Sequence, residues 1–223
     1  HELEQALSLK ATQEGQWSAI ADGRYEANTG MFGGWTAAIL LRAVILDERS
    51  VGVPTALTVN YVNRIIPGCD LKVCVFPRGG GRSISHWQVE ISLADDDLIL
   101  AYASVVMARR RPSDGFVEGD MPAASPPEAL DDFSPPGSFG ERTEIRAVSG
   151  FPPFEQPNSI SLAWVKEQSG RPMDPVQLAY LADVYPPRIW YGGSDPRLCA
   201  TITMSVYFHA TQEEMDSMVD DYV

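Results

Sequence analysis

Among the acids of this chain, Asp183 stands where a carboxylate could do more than hold water. It belongs to the stretch "QLAYLADVYPP", Gln177 to Pro187, in which Leu178, Leu181, Ala182 and Tyr185 recur at helical spacing and predict one buried helix face. Asp183 follows Ala182 at the edge of that stripe, in the expected last turn, just ahead of a Pro-Pro stop. A carboxylate there meets the negative end of the helix dipole, which disfavours its charge. Taken alone, such an acid reads as solvated. In a largely apolar cleft the same group would have a raised pKa and be a better base.

Other routes to chemistry are thinner. No GxSxG nucleophile elbow is present, and His1, His86 and His209 are the whole histidine set. His86 and His209 fall in strand-like segments, where a packed or edge histidine is the simpler reading. Cys69 and Cys74, five apart, would point to opposite faces of a continuous strand, a poor start for a metal site or a bridge. With Cys199 they read as small, mostly buried hydrophobes in a reducing compartment, which favours the cytoplasm. Asp95, Asp96 and Asp97 lie in an expected hairpin turn and read as solvated. No metal and no cofactor is expected.

Composition narrows the classes further. Apolar residues make up 44% of the 223, enough for a substantial core, and charged residues 21%, ordinary for a soluble protein. The formal net charge of −13 argues against nucleic acid as a partner, which would need a basic face. No apolar run approaches the ~20 residues of a membrane span, and no basic run suggests a membrane surface. The start, "HELEQALSLK", has no signal-peptide pattern; it opens on His rather than Met, so a processed or incomplete N-terminus is expected.

The elements that must position Asp183 come in two sets. "GQWSAIADGRYEA" reads as a strand with a Gly-containing turn, and the segment from about Gly34 to Asp47 as a helix. Ala38, Leu41, Ile45 and their neighbours make that helix apolar nearly all round, so it should be deeply buried. Asn28, Thr29, Gly30, Gly33 and Gly34 suit a tight, capped start. Then the period becomes two: "TALTVNYVN", "LKVCVF", "SISHWQVEISL" and "LILAYASVVMA" are four strands, with "RGGGR" and "ADDD" as hairpin turns. Residues 111–140 are rich in Pro, Gly, Ser and acids and read as a linker. Beyond it the order recurs: "ERTEIRAVSG" and "SISLAWVKE", the helix "VQLAYLADVY", then "CATITMSVYFHAT".

Strand–helix–strand order repeated around a linker is what an internal duplication predicts. Laying "TALTVNYVN" over "TITMSVYFH" places Tyr61 on Tyr207. By that offset, counterparts of roughly two first-half strands would fall beyond Val223, so the second unit is expected to be incomplete at its C-terminus. The expected fold class is α+β: two tandem units, each a long helix wrapped by an antiparallel sheet, at 1–110 and 141–223.

These motifs resemble the thioesterase II (TesB-like) family of acyl-CoA thioesterases, whose fold is the double hotdog. The resemblance rests on "MFGGWTAAIL", "TALTVNYVNRIIPG" and "RGGGRSISHWQVEI" in the first half, and on "LAYLADVYPP" and "ATITMSVYFH" in the second. It implies hydrolysis of acyl-CoA to free acid and CoA, a setting in fatty acid metabolism, and a water held by Asp, Thr and Gln. Asp183 matches the Asp, and Thr201 in "ATI" matches the Thr. The Gln has no match up to Val223, and Gln212 lies at the wrong place in the motif. A threonine hydroxyl can fix a water as valine cannot. The amides of Gly33 and Gly34 suit an oxyanion and a close substrate approach, or these glycines serve only tight packing of the helix into the sheet. Phe32 and Trp35 are candidates to line an acyl tunnel.

Two alternatives stay open. A hotdog enoyl-CoA hydratase would have a His five residues after the Asp; Arg188 stands there instead. A non-catalytic acyl-CoA binder would keep the fold without the chemistry, its anionic ligand met by arginines such as Arg78, Arg82 and Arg188. Association into a homo-oligomer through an exposed sheet face also stays open.

Overall fold

The computed structural model describes residues 1–112, 114–116, 118–151, 157–192, 197–218 and 222–223. A short helix α1 (Glu2–Ala6) precedes a hairpin of β1 (Lys10–Gln13) and β2 (Gln16–Ile20), turned at Gly15, whose φ of 68° suits glycine. Two short strands, β3 (Glu26–Ala27) and β4 (Gly30–Met31), lead into α2 (Gly33–Leu46). The strands β5 (Val53–Tyr61), β6 (Asp70–Gly80), β7 (Ile84–Leu93) and β8 (Ile99–Ala108) follow, close to where alternation predicts them. Then come β9 (Thr143–Ser149), β10 (Leu162–Glu167), α3 (Pro175–Leu181), β11 (Thr203–Tyr207) and α4 (Gln212–Asp216).

Helix α2 is the axis of the core. Gly34 through Leu41, with Ala43 and Val44, are all buried, as an all-round apolar helix must be. Its last turn departs from expectation: Ile45 and Leu46 are exposed where the chain runs out into the turn after Asp47. The helix packs against β5, β6, β7 and β8. On β7 the expected alternation of Trp87, Val89, Ile91 and Leu93 with Gln88, Glu90 and Ser92 holds as far as Ile91; past it Ser92 is buried and Leu93 only half-buried, where the pairing with β8 shifts register. The three cysteines are half-buried and free, less enclosed than their apolar character suggests.

These strands form an antiparallel sheet in the order β1-β2-β6-β7-β8-β5-β11, so its last strand comes from the second half of the chain. Strand β11 lies against β5 with Thr203 opposite Asn60 and Tyr207 opposite Ala56. The Thr58 and Ser205 hydroxyls meet across the seam at 3.0 Å. The two segments that internal similarity overlays are therefore hydrogen-bonded neighbours, as in a pair of copies related by a local two-fold. Strands β9 and β10 pair separately, and Val165 on β10 exchanges both backbone bonds with Val223 at 2.9 Å. In the first half β2 pairs with β6, Trp17 standing opposite Val73.

The second half differs from expectation at its helix. Helix α3 stops at Leu181, so Ala182 and Tyr185 do not extend a helical stripe, and Ala182 is exposed. The buried residues are Val176, Gln177, Ala179, Tyr180 and Leu181, more than one face, because α3 packs on α2 and on β10 together. Pro186 disfavours helical backbone at Tyr185, so the expected stripe could not have run through that residue as helix. The low-complexity stretch also contributes to the core at its end: Phe139 is buried and stacks on Phe32 with ring centroids 4.0 Å apart.

Candidate active site

The helix that presents Asp183 has a strong start and an abrupt stop. Asp174 caps it, accepting from the Gln177 amide at 2.8 Å, while Pro175 fills the first turn and Arg171 Nη1 donates to Asp174 Oδ1 at 2.6 Å. Beyond Leu181 the chain turns, with the Val184 amide on the Leu181 carbonyl at 3.3 Å. Asp183 thus lies just past the helix rather than in its last turn.

The turn aims the carboxylate at the head of α2. A Cβ on Gly33 would sit 2.3 Å from Asp183 Oδ2, so only glycine lets the acid come this close. Gly34 is equally constrained: its Cβ would lie 2.2 Å from the Tyr180 carbonyl oxygen, where α2 and α3 pack. The Thr201 hydroxyl donates to Asp183 Oδ1 at 3.0 Å. Burial pushes the Asp183 pKa up to about 6; the Thr201 hydroxyl and, after it, the Gly34 backbone amide pull the other way by favouring the charged form.

Thr201 is itself held in place. It precedes β11 by two residues, but pairing with β5 already begins there: the Tyr61 amide donates to the Ile202 carbonyl at 3.0 Å. Next, the Thr203 hydroxyl donates to the Val59 carbonyl at 2.9 Å. Asp183 and Thr201, far apart in sequence, meet because α3 packs on α2 while β11 joins β5.

The other sequence candidates separate from this pair. Trp35 is fully buried and donates from its indole to the Ala6 carbonyl at 3.1 Å. Phe32 is packed between Phe139 and Tyr180. Both are buried in the core, the packing use to which large aromatics beside a buried helix are first put. Gly33 and Gly34 lie against Asp183 and the Tyr180 carbonyl, a close approach that both of their expected roles require. Gln212 opens α4 and bonds to Asp216 at 2.8 Å. Arg188 donates to the Ser159 carbonyl at 2.9 Å and the Ser161 hydroxyl at 2.6 Å. Charged depressions lined by Asp132, Glu144, Arg146, Lys166 and Glu167, and by His1, Glu2, Glu141 and Arg142, do not include Asp183.

Sequence reasoning missed Tyr61. Its hydroxyl donates to the Gly33 carbonyl at 3.0 Å, and its ring lies against the point where Gly33 meets Asp183. Overlaying Tyr61 on Tyr207 was the available signal, because equivalent strands of a duplicated unit commonly pair. Among the described residues no helix is long and apolar enough to cross a membrane, and no group of three or more His, Cys, Asp or Glu could hold a metal.

Two antiparallel-sheet units, their helices in contact and a threonine-bound carboxylate between them, define a double hotdog protein of α+β class. The chain belongs to the acyl-CoA thioesterase family: residues 21–108 match its N-terminal domain and residues 119–221 its C-terminal domain. A hotdog-fold protein of unknown function from Alicyclobacillus acidocaldarius is 27% identical with a TM-score of 0.90, over 96% of this chain and 81% of that one. The TesB protein of Mycobacterium avium subspecies paratuberculosis is 19% identical with a TM-score of 0.78, over 99% and 82% of the two chains. An acyl-CoA thioesterase II of Mycobacterium marinum is 20% identical with a TM-score of 0.59, over 82% and 68%. Likeness at these last two identities speaks for the fold. No curated protein sequence matches the chain.

Proposed function

We propose that the chain hydrolyses acyl-CoA thioesters to free acid and CoA, with Asp183 as the base that takes a proton from the attacking water. One observation carries this reading: a half-buried carboxylate with a pKa near 6, bonded to a threonine hydroxyl at the head of a buried helix. A base of that pKa is ionised at neutral pH yet basic enough to accept a proton from water. Thr201 gives its hydrogen to Asp183, so its lone pairs are left to accept from the water that Asp183 deprotonates.

The water oxygen attacks the thioester carbonyl carbon, and its proton passes to Asp183. The tetrahedral intermediate carries its negative charge on the former carbonyl oxygen. The positive end of α2 supports stabilisation of that oxygen, with the Gly33 amide as donor. Collapse breaks the C–S bond, and the sulfur of CoA leaves with the proton returned from Asp183. Phe32 and Trp35 act as scaffold. In this reading residues 1–110 and 141–223 are the two hotdog units, joined by 111–140, and the free cysteines support a cytoplasmic setting.

Release of free thiol from acyl-CoAs of short to long chain tests it. Asp183→Asn, still folded, should lose at least ~100-fold in rate. Equal rates for wild type and variant would remove Asp183 from the chemistry. Acyl-CoA binding without turnover in either would leave an acyl-CoA-binding protein.

A further inference from the structure

The Asp183 carboxylate accepts from the Thr201 hydroxyl before β11 at 3.0 Å, and the Gly34 amide at the head of α2 lies near enough to favour its charged form. A residue of the other half reaches the immediate neighbour of each. The Tyr61 amide donates to the carbonyl of Ile202, next to Thr201, at 3.0 Å. The Tyr61 hydroxyl donates to the carbonyl of Gly33, next to Gly34, at 3.0 Å. Between these two bonds lies its ring. The position a Cβ on Gly33 would take is 3.4 Å from Tyr61 Cε1 and 2.3 Å from Asp183 Oδ2, so the ring edge and the carboxylate converge on one point.

We propose that Tyr61 is a positioning residue for Asp183: it spans the two donors beside the carboxylate, and its ring walls the acid from water. This rests on the reading of Asp183 as the catalytic base. The strand β5 of the first half would thereby tune a base that belongs to the second. Tyr61 does not itself touch the reacting atoms. Its hydroxyl is committed to Gly33, and burial, with the nearby Asp183 charge, raises its own pKa, so it stays protonated while Asp183 titrates. Among the described residues that face Asp183, Tyr61 from β5 is the titratable one; α2 supplies the Gly34 amide and the segment before β11 the Thr201 hydroxyl.

The two functions of Tyr61 separate under substitution. Tyr61→Phe keeps the ring and frees the Gly33 carbonyl, loosening the Gly34 amide from the carboxylate; that disfavours the charged form. Tyr61→Ala removes the bond and the wall together, and the water it admits outweighs the lost bond and favours the charged form. The two variants should therefore move the Asp183 midpoint in opposite directions.

The test is a carboxyl carbon NMR titration of the full chain with labelled aspartate, the Asp183 signal assigned with Asp183→Asn. The expected midpoint is about 6 in wild type, higher in Tyr61→Phe, and lower, toward the ordinary carboxylate range, in Tyr61→Ala. Acyl-CoA hydrolysis gives the second readout: kcat about tenfold lower in Tyr61→Phe with KM within about twofold. A wild-type midpoint in Tyr61→Phe, with circular dichroism unchanged, overturns the proposal even if Tyr61→Ala fails to fold. Opposite shifts support it. Full activity of Asp183→Asn would instead remove Asp183 as the base, while the titration still decides whether Tyr61 controls its ionisation.

Discussion

The two halves of this molecule use one plan at different depths. In the first, the 14 residues of α2 lie against four strands and are buried almost throughout. In the second, the 7-residue α3 packs on α2 and on β10, and β11 joins the sheet of the first half beside β5. The polar chemistry sits at the junction: an acid that follows the short helix of the second half is turned onto the head of the long buried helix of the first. A deep apolar core makes a rigid platform with little use for charge, whereas a carboxylate can survive where a turn, a hydroxyl and helix amides meet.

If the first half is the platform, truncating its helix should cost most. Leu40→Ala, at a fully buried position, should destabilise by about 2–5 kcal/mol in urea unfolding, well beyond Leu178→Ala at its half-buried site on α3. Similar losses at the two positions would erase the distinction between platform and appendage.

The junction is next. Asp183 keeps its proton up to about pH 6 in the folded protein, while its ordinary value is 3.8. Between those values the native state binds more protons than the unfolded one, so this group's contribution to stability falls as pH rises through the window. Asp183→Asn has no such charge. It should match wild type below pH ~4 and be more stable above pH ~6, by up to about 2 kcal/mol after allowance for partial solvent screening. Catalysis should run the opposite way, kcat/KM rising through pH ~6 as the base ionises. Melting curves of both proteins from pH 3 to 8, beside a rate profile, check the pair of trends.

The smallest effect sharpens the role of the hydroxyl. Thr201→Val keeps shape but removes the bond to Asp183 Oδ1, so the acid's midpoint should rise. The rate of thioester hydrolysis at neutral pH should fall about tenfold while stability changes by less than about 1 kcal/mol. An unchanged rate would make Thr201 a strand-end residue only.

Much of the scaffold was legible from local pattern. The apolar helix at 33–46 and the alternating Trp87, Val89 and Ile91 follow from side-chain periods that a single element imposes. The end of α3 was less so, because the stripe through Ala182 and Tyr185 ignored that Pro186 restricts the backbone at Tyr185. The residue types of Phe32 and Trp35 fit a ligand wall or a core equally; their contacts with Phe139 and Ala6 are visible only in the folded chain.

By itself the chain's order of residues determined the buried helix of the first half and the alternating strands that follow it, and its resemblance to a family made Asp183 and Thr201 candidates to act together. Only the tertiary structure decided that Asp183 faces the head of α2, that burial rather than the dipole of α3 lifts its pKa, and that Tyr61 stands beside it. Local propensity acts over neighbours a few residues apart, whereas desolvation and hydrogen bonding at this site depend on three distant segments that come together when β5 pairs with β11 and α3 packs on α2.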